Sequence, residues 1–216
     1  MSDTLQMIKD AVITRQRAEI QKLVKAAVDD GLDPNSIIND GLIPAMDEVG
    51  RQFGEGEIFV PEMLVSAMTM KLGLELVKPL LSGKEAQSRG TIIMATVKGD
   101  LHDIGKNIVI MMLEGAGFNV VDLGVDMAVE TIIEKIKIIM PDILGLSALL
   151  TTTMPEMERA IQELRAKGLR EKVKVMIGGA PVNKSFAEKI KADGHGADAT
   201  EAVKLARRLI GTYKKI

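Results

Sequence analysis

From Thr91 onward the chain alternates short apolar runs with stretches of helical period, and this alternation restricts the fold more than any other feature. Runs at Thr91–Val97, Asn119–Leu123, Asp142–Ser147 and Val173–Gly178 read as buried strands, with a weaker fifth at Gly194–Ala197. Helical spacing fills the intervals, over about Gly105–Ala116, Ala128–Ile139, Met154–Lys167, Lys184–Lys191 and Thr200–Tyr213. Parallel neighbours need a crossover connection and a helix supplies it, so the pattern predicts an α/β domain with a doubly wound parallel sheet. Ligands of such sheets bind beyond the carboxyl ends of the strands, and function should be sought in the loops there.

Residues 1–88 carry no strand signal. Leu5, Ile8 and Val12, then Ile20, Leu23, Val24 and Ala27, recur at helical spacing up to Asp30-Gly31, as one or two helices. Asp33-Pro34 reads as an N-cap and first helical residue, opening a helix whose Ile37, Ile38, Leu42, Met46, Val49 and Phe53 share a face. Pro44 is expected to kink it or to end its first segment. After a turn at Gly54 and Gly56, Pro61 opens a helix towards Pro79, with Glu62 in its first turn. The expectation is a helical bundle over residues 1–88, a polar linker at Ser82–Gly90 and a second domain over residues 90–216.

Of the loops at strand ends, Gly99-Asp100-Leu101-His102-Asp103-Ile104-Gly105-Lys106-Asn107 is the richest in chemistry. It is no phosphate-binding P-loop, since five residues separate its glycines and Asn107, rather than Ser or Thr, follows Lys106. Nor does it hold the three close glycines of a dinucleotide site. His102 stands between Asp100 and Asp103, and a carboxylate bonded to one imidazole nitrogen fixes the tautomer and makes the other a better metal ligand. With no cysteine in the chain, metal chemistry must use histidine, carboxylates or a bound cofactor.

Asp-x-His-x-x-Gly at Asp100, His102 and Gly105, Ser-x-Leu at Ser147 and Leu149, and Gly178-Gly179 ahead of a helix follow in that order. Together they resemble the cobalamin-binding module of corrinoid methyl-carrier proteins and of methionine synthase. Upstream, Val49 to Glu62 resembles the helical cap domain that precedes the module. The resemblance covers nearly the whole chain and implies a helical cap followed by a Rossmann-like, flavodoxin-like sheet. It implies a cobalamin cofactor, as cob(I)alamin and methylcob(III)alamin, with His102 as axial cobalt ligand in place of the cofactor's dimethylbenzimidazole. Imidazole suits such a metal.

By the same resemblance, Asp100 and Thr153 form a proton relay to the axial histidine, and Gly99, Leu101, Asp103, Ile104 and Gly105 belong to the cofactor loop. Ser147, Leu149 and Thr151 line the channel for the displaced nucleotide tail, and Gly178 and Gly179 let that tail approach the backbone. Phe53, Val60 and Met63 match positions covering the methyl-bearing face. Plain alternatives stand beside these: a helix N-cap for Thr153, a turn for the glycine pair, core packing for the cap residues. His195 matches no motif position.

The implied role is a methyl carrier rather than a catalyst on its own. It would pass a methyl group from a donor-side methyltransferase, using methanol, a methylamine, a betaine or a methoxylated aromatic, to an acceptor-side one, using tetrahydrofolate or coenzyme M. A reductive activase is a further expected partner. A cobalamin-based sensor is the alternative, although the chain has no Trp and no basic extension of the kind such regulators carry. With 28 Lys and Arg against 30 Asp and Glu, a broad electrostatic grip on nucleic acid is not expected. The amino terminus lacks the pattern of a signal peptide and no apolar stretch is long enough to span a membrane, so a cytoplasmic location is expected.

Overall fold

The computed structural model describes residues 3–81 and 88–213; most of the expected linker, residues 82–87, lies outside the described residues. Two compact units emerge, the first ending at Ser88 and taking in Gly115–Gly117, the second running from Arg89 to Glu114 and from Phe118 onward.

The first unit is helical. Helix α1 (Asp3–Ile13) buries Leu5, Ile8 and Val12, and α2 (Arg17–Asp29) buries Ile20, Val24 and Ala27, each along the apolar stripe written in the sequence. Asp33 caps α3 (Pro34–Ser36), accepting from the Asn35 N–H at 3.1 Å. Pro44 does not end the segment. Ile37–Leu42 forms a π-helix, and α4 (Ile43–Gly54) continues from it with helical dihedrals on both sides of the junction. The wider pattern, in which the Ile43 N–H bonds to the Ile38 carbonyl, carries the chain past a residue with no N–H to offer. In α5 (Val60–Val77) the Glu62 carboxylate accepts from the Phe59 N–H at 2.9 Å, fixing the start of the helix.

The second unit holds β1 (Thr91–Thr96), β2 (Asn119–Asp122), β3 (Ile143–Ser147), β4 (Lys174–Gly178) and β5 (Gly194–Gly196). They form one sheet in the order β2-β1-β3-β4-β5, and every pair is parallel. The helices between and after them are α6 (Ile104–Gly115), α7 (Val129–Ile139), α8 (Pro155–Ala166), α9 (Lys184–Ile190) and α10 (Ala199–Tyr213). This is the expected doubly wound arrangement.

Its core follows from strand alternation. Ile93, Ala95, Leu144, Leu146, Val175 and Ile177 point to one side, where Ile132 and Ile136 of α7, Met157 and Ile161 of α8, and Ala187 and Ile190 of α9 meet them. Residues of the other parity, such as Ile92, Met94, Ile143 and Met176, are buried as well, and α10 packs along β3, β4 and β5. Burial on both faces is why these strands read as unbroken apolar runs.

Two features of the topology position the site. In this strand order the connections leaving β1 and β3 diverge, which opens a crevice at their carboxyl ends. The register also aligns Thr96 with Ser147, Ser147 with Gly178, and Gly178 with Gly196, so four strand ends share one row at that edge. Among the described residues, no helix is long and apolar enough to cross a membrane.

Candidate functional site

The loop between β1 and α6 is organised around one buried carboxylate. Asp100 is fully buried, and its two oxygens accept from donors on two segments, its own loop and the loop between β3 and α8. Oδ1 takes the His102 backbone N–H at 3.1 Å and the His102 ring Nδ1 at 2.7 Å. Oδ2 takes the Leu149 N–H at 2.8 Å, the Leu150 N–H at 3.3 Å and the Thr153 hydroxyl at 2.8 Å. Burial alone would raise this carboxyl, but the bonds from the His102 ring and backbone, Leu149 and Thr153 outweigh it and hold Asp100 well below the usual carboxylate range. An ionised carboxylate only accepts, so Nδ1 must carry the proton, and in the neutral ring the lone pair is then on Nε2.

His102 itself is not buried: its side chain is 52% exposed, with only Nδ1 fastened. The Thr96 hydroxyl holds its carbonyl at 3.0 Å. The two loops also expose apolar side chains that a solvated loop does not need, Leu101 and Ile104 on the loop of His102 and Leu149 and Leu150 on the loop after β3. A Cβ on Gly105 would meet nothing within 4 Å, so its open side faces empty space. Among the described residues no three His, Cys, Asp or Glu side chains gather to hold an ion, so a metal at His102 would bring its other ligands with it. One directed imidazole beside loops with exposed apolar side chains is a donor set that fits a metal-bearing macrocycle.

The other residues singled out from the sequence separate into groups. Thr153 is buried, and its hydroxyl bonds to Asp100 rather than capping α8, where Met154 is the cap residue and makes no side-chain bond. Thr153, Asp100 and His102 thus form one hydrogen-bonded chain. Asp103 does not touch the imidazole; its carboxylate accepts from the Asn107 side chain at 3.1 Å. Ser147 ends β3 half-buried, whereas Leu149 and Thr151 are exposed.

Gly179 has a reason inside the chain: at φ +128° it would place a Cβ 1.9 Å from the Ala148 carbonyl oxygen. A Cβ on Gly178 would come within 3.1 Å of the Gly196 carbonyl. In the helical unit Met63 is fully buried among core side chains, so as it stands it offers nothing to a ligand face, while Phe53 and Val60 are half-buried. Core packing accounts for Met63.

The loop between β2 and α7 carries polar residues that the sequence reading passed over. Asp126 Oδ1 accepts from the Gly99 N–H at 2.7 Å, and the Asp126 N–H donates to the Asp100 carbonyl at 2.9 Å. The bond from Gly99, and then the neighbouring Lys98 ammonium, keep the Asp126 carboxyl below its ordinary value. Lys106 is buried and its Nζ lies 2.6 and 2.7 Å from the two oxygens of Asp122. An acidic pair in the loop of the strand beside β1 was the available signal, and it becomes informative only once β2 is known to lie beside β1.

Comparison with known proteins agrees with this geometry. Residues 90–204 match a family model described as a B12 binding domain, and residues 4–78 match a second model with the same description. Dimethylamine corrinoid protein 1 of Methanosarcina acetivorans is 44% identical over 209 residues, spanning 96% of this chain and 98% of that protein. Among solved structures, the methanol:cobalamin methyltransferase complex MtaBC of Methanosarcina barkeri matches with a TM-score of 0.87 at 34% identity, over 97% of this chain and 80% of that one. A cobalamin-binding protein of Desulfitobacterium hafniense matches with a TM-score of 0.80 at 34% identity, over 95% of this chain and 98% of that one.

Proposed function

The chain belongs to the B12-binding family of corrinoid proteins, and on that premise we propose that it carries a methyl group between two methyltransferases, with His102 as the lower axial ligand of its cobalamin. The observation that carries the reading is the half-exposed His102 ring, bonded at Nδ1 to a buried carboxylate, on a pair of loops that also expose Leu101, Ile104, Leu149 and Leu150. When bound, the corrinoid supplies a cobalt centre that takes up and releases the methyl group.

The chain's own residues set the conditions for that chemistry. His102 presents Nε2, and Asp100 keeps the proton on Nδ1, which orients the ring and raises the basicity of the free nitrogen. Leu149, Leu150 and Thr153 hold the carboxylate in place, so the Nδ1 bond would keep the ring aimed at a cobalt held there. Leu101 and Ile104 give an apolar seat that excludes water from beneath the ring system. Ser147, Leu149, Thr151, Gly178 and Gly179 form the region for the nucleotide tail, supported by the alignment of Ser147 with Gly178 at the strand ends.

The names of the relatives favour a methylated amine or methanol as donor. The test is transfer itself. Cobalamin-loaded protein, reduced and mixed with a purified methylamine or methanol methyltransferase, should acquire a methyl group and yield it to coenzyme M or tetrahydrofolate through a second enzyme. A protein that binds cobalamin but takes up no methyl group from any of these donors would overturn the proposal.

A further inference from the structure

We propose that the loop between β2 and α7 is a brace that sets the position of His102, with Asp126 as its positioning residue. This rests on the reading of His102 as a cobalt ligand and adds what makes that ligand available. Asp126 is held at φ +52°, a left-handed conformation that a residue with a Cβ adopts at some strain and that a short polar side chain tolerates best. The strained residue makes two bonds to adjacent positions of the histidine loop. Its carboxylate takes the Gly99 N–H at 2.7 Å and its own N–H reaches the Asp100 carbonyl at 2.9 Å.

Gly99, at φ +79°, turns its N–H towards this acceptor. The Lys98 ammonium, 3.3 Å from the same carboxylate, completes the set. At the far end of the histidine loop the same brace takes hold again. Lys106, in the first turn of α6, buries its ammonium against Asp122 and the Asn107 side chain, and Asn107 in turn bonds Asp103. Asp122 also accepts from the Gly124 N–H at 2.9 Å, tightening the turn that leads to Asp126.

Both ends of the segment Gly99–Lys106 therefore close on carboxylates of one neighbouring stretch, Asp122–Asp126. The imidazole is steered by Asp100, and Asp100 is kept in place from its backbone side by Asp126. Removing the acceptor at Asp126 should leave the protein able to bind cobalamin while loosening the geometry that presents Nε2.

Two variants isolate the effect. Asp126→Gly and Asp126→Asn both tolerate the left-handed backbone, but only asparagine keeps an oxygen for the Gly99 N–H. In cobalamin-loaded protein, Asp126→Gly should shift the equilibrium from histidine-coordinated to uncoordinated cofactor by about tenfold, the size expected for one lost bond to a charged group, and Asp126→Asn, which keeps a neutral acceptor, should restore a substantial part of it. Equal coordination in Asp126→Gly and the parent would overturn the proposal, as would equal loss in both variants.

In the unmodified apo protein, the Gly99 amide should exchange slowly with solvent despite its loop position, and the His102 ring should give a single sharp set of nitrogen resonances that broadens in Asp126→Gly. Fast exchange at Gly99 contradicts the brace even if no variant folds or loads, and a ring unchanged in folded Asp126→Gly contradicts it as well. If the parent protein shows no histidine coordination, the reading of His102 fails, and these apo measurements still decide the role of Asp126.

Discussion

The chain has two histidines, and the sheet places both near the carboxyl ends of its strands, yet their surroundings have little in common. His102 follows β1 with Nδ1 bonded at 2.7 Å to a carboxylate that four further donors hold ionised. Its side chain is 52% exposed, on a loop that also exposes Leu101 and Ile104. His195 sits within β5, opposite Ile177, and its Nε2 is buried with no hydrogen-bond partner among the described residues. Position at a ligand-binding edge does not make a histidine a ligand. An acceptor that fixes the tautomer, together with exposure of the remaining nitrogen, is what suits one to that role.

The sharpest way to break this comparison is to remove each ring. His102→Ala should abolish nitrogen coordination from the protein and slow methyl transfer severely, while His195→Ala should leave the visible spectrum of bound methylcobalamin unchanged. A spectrum that responds to His195 and not to His102 would reverse the assignment.

Next in size is Asp100→Asn. The amide would point N–H groups at donors that now converge on a carboxylate, so the ring loses its steering partner and the loop loses its hub. Metal partners of this kind are worth about 10–100-fold in affinity, and the cobalt–histidine equilibrium should weaken by that order, as read from the spectrum of loaded protein.

Thr153→Val keeps the shape and removes one donor from Asp100, leaving other donors in place. The expected loss is about 1 kcal/mol, near fivefold in the coordination equilibrium, with Thr153→Ser recovering most of it. The smallest effect belongs to the second histidine. Because Nε2 of His195 is buried and unpartnered, His195→Phe should be neutral or raise thermal stability slightly, since replacing an unsatisfied polar group by an apolar one of similar shape removes a desolvation penalty. A marked fall in melting temperature would show that this ring has a partner after all.

Much of the fold was legible because burial on both faces of a parallel sheet writes unbroken apolar runs. β1, expected over Thr91–Val97, closes at Thr96, and Val97 instead bridges Met127 on the neighbouring loop. His102 and Asp100 were legible because their relation is local, two residues apart on one loop. Thr153 was ambiguous in sequence, since three threonines before Met154-Pro155 look like a cap; its hydroxyl turns to Asp100 because that carboxylate arrives from a different strand.

Asp126 and the Lys106–Asp122 pair were not legible for the same reason. Their bonds cross from β2 to β1, and no local pattern announces which strand lies alongside. Pro44 reads in sequence as a kink or a stop, whereas a π-helical turn before it carries the helix on past its missing N–H.

The central claim is that the lower ligand to cobalt is a histidine of this chain. Electron paramagnetic resonance of the protein loaded with cob(II)alamin, prepared once with natural histidine and once with histidine labelled with nitrogen-15, tests it directly. The account predicts a superhyperfine triplet that becomes a doublet on labelling and disappears in His102→Ala. A triplet that survives the label unchanged would mean that the cofactor's own base still holds the metal, and the account would be wrong.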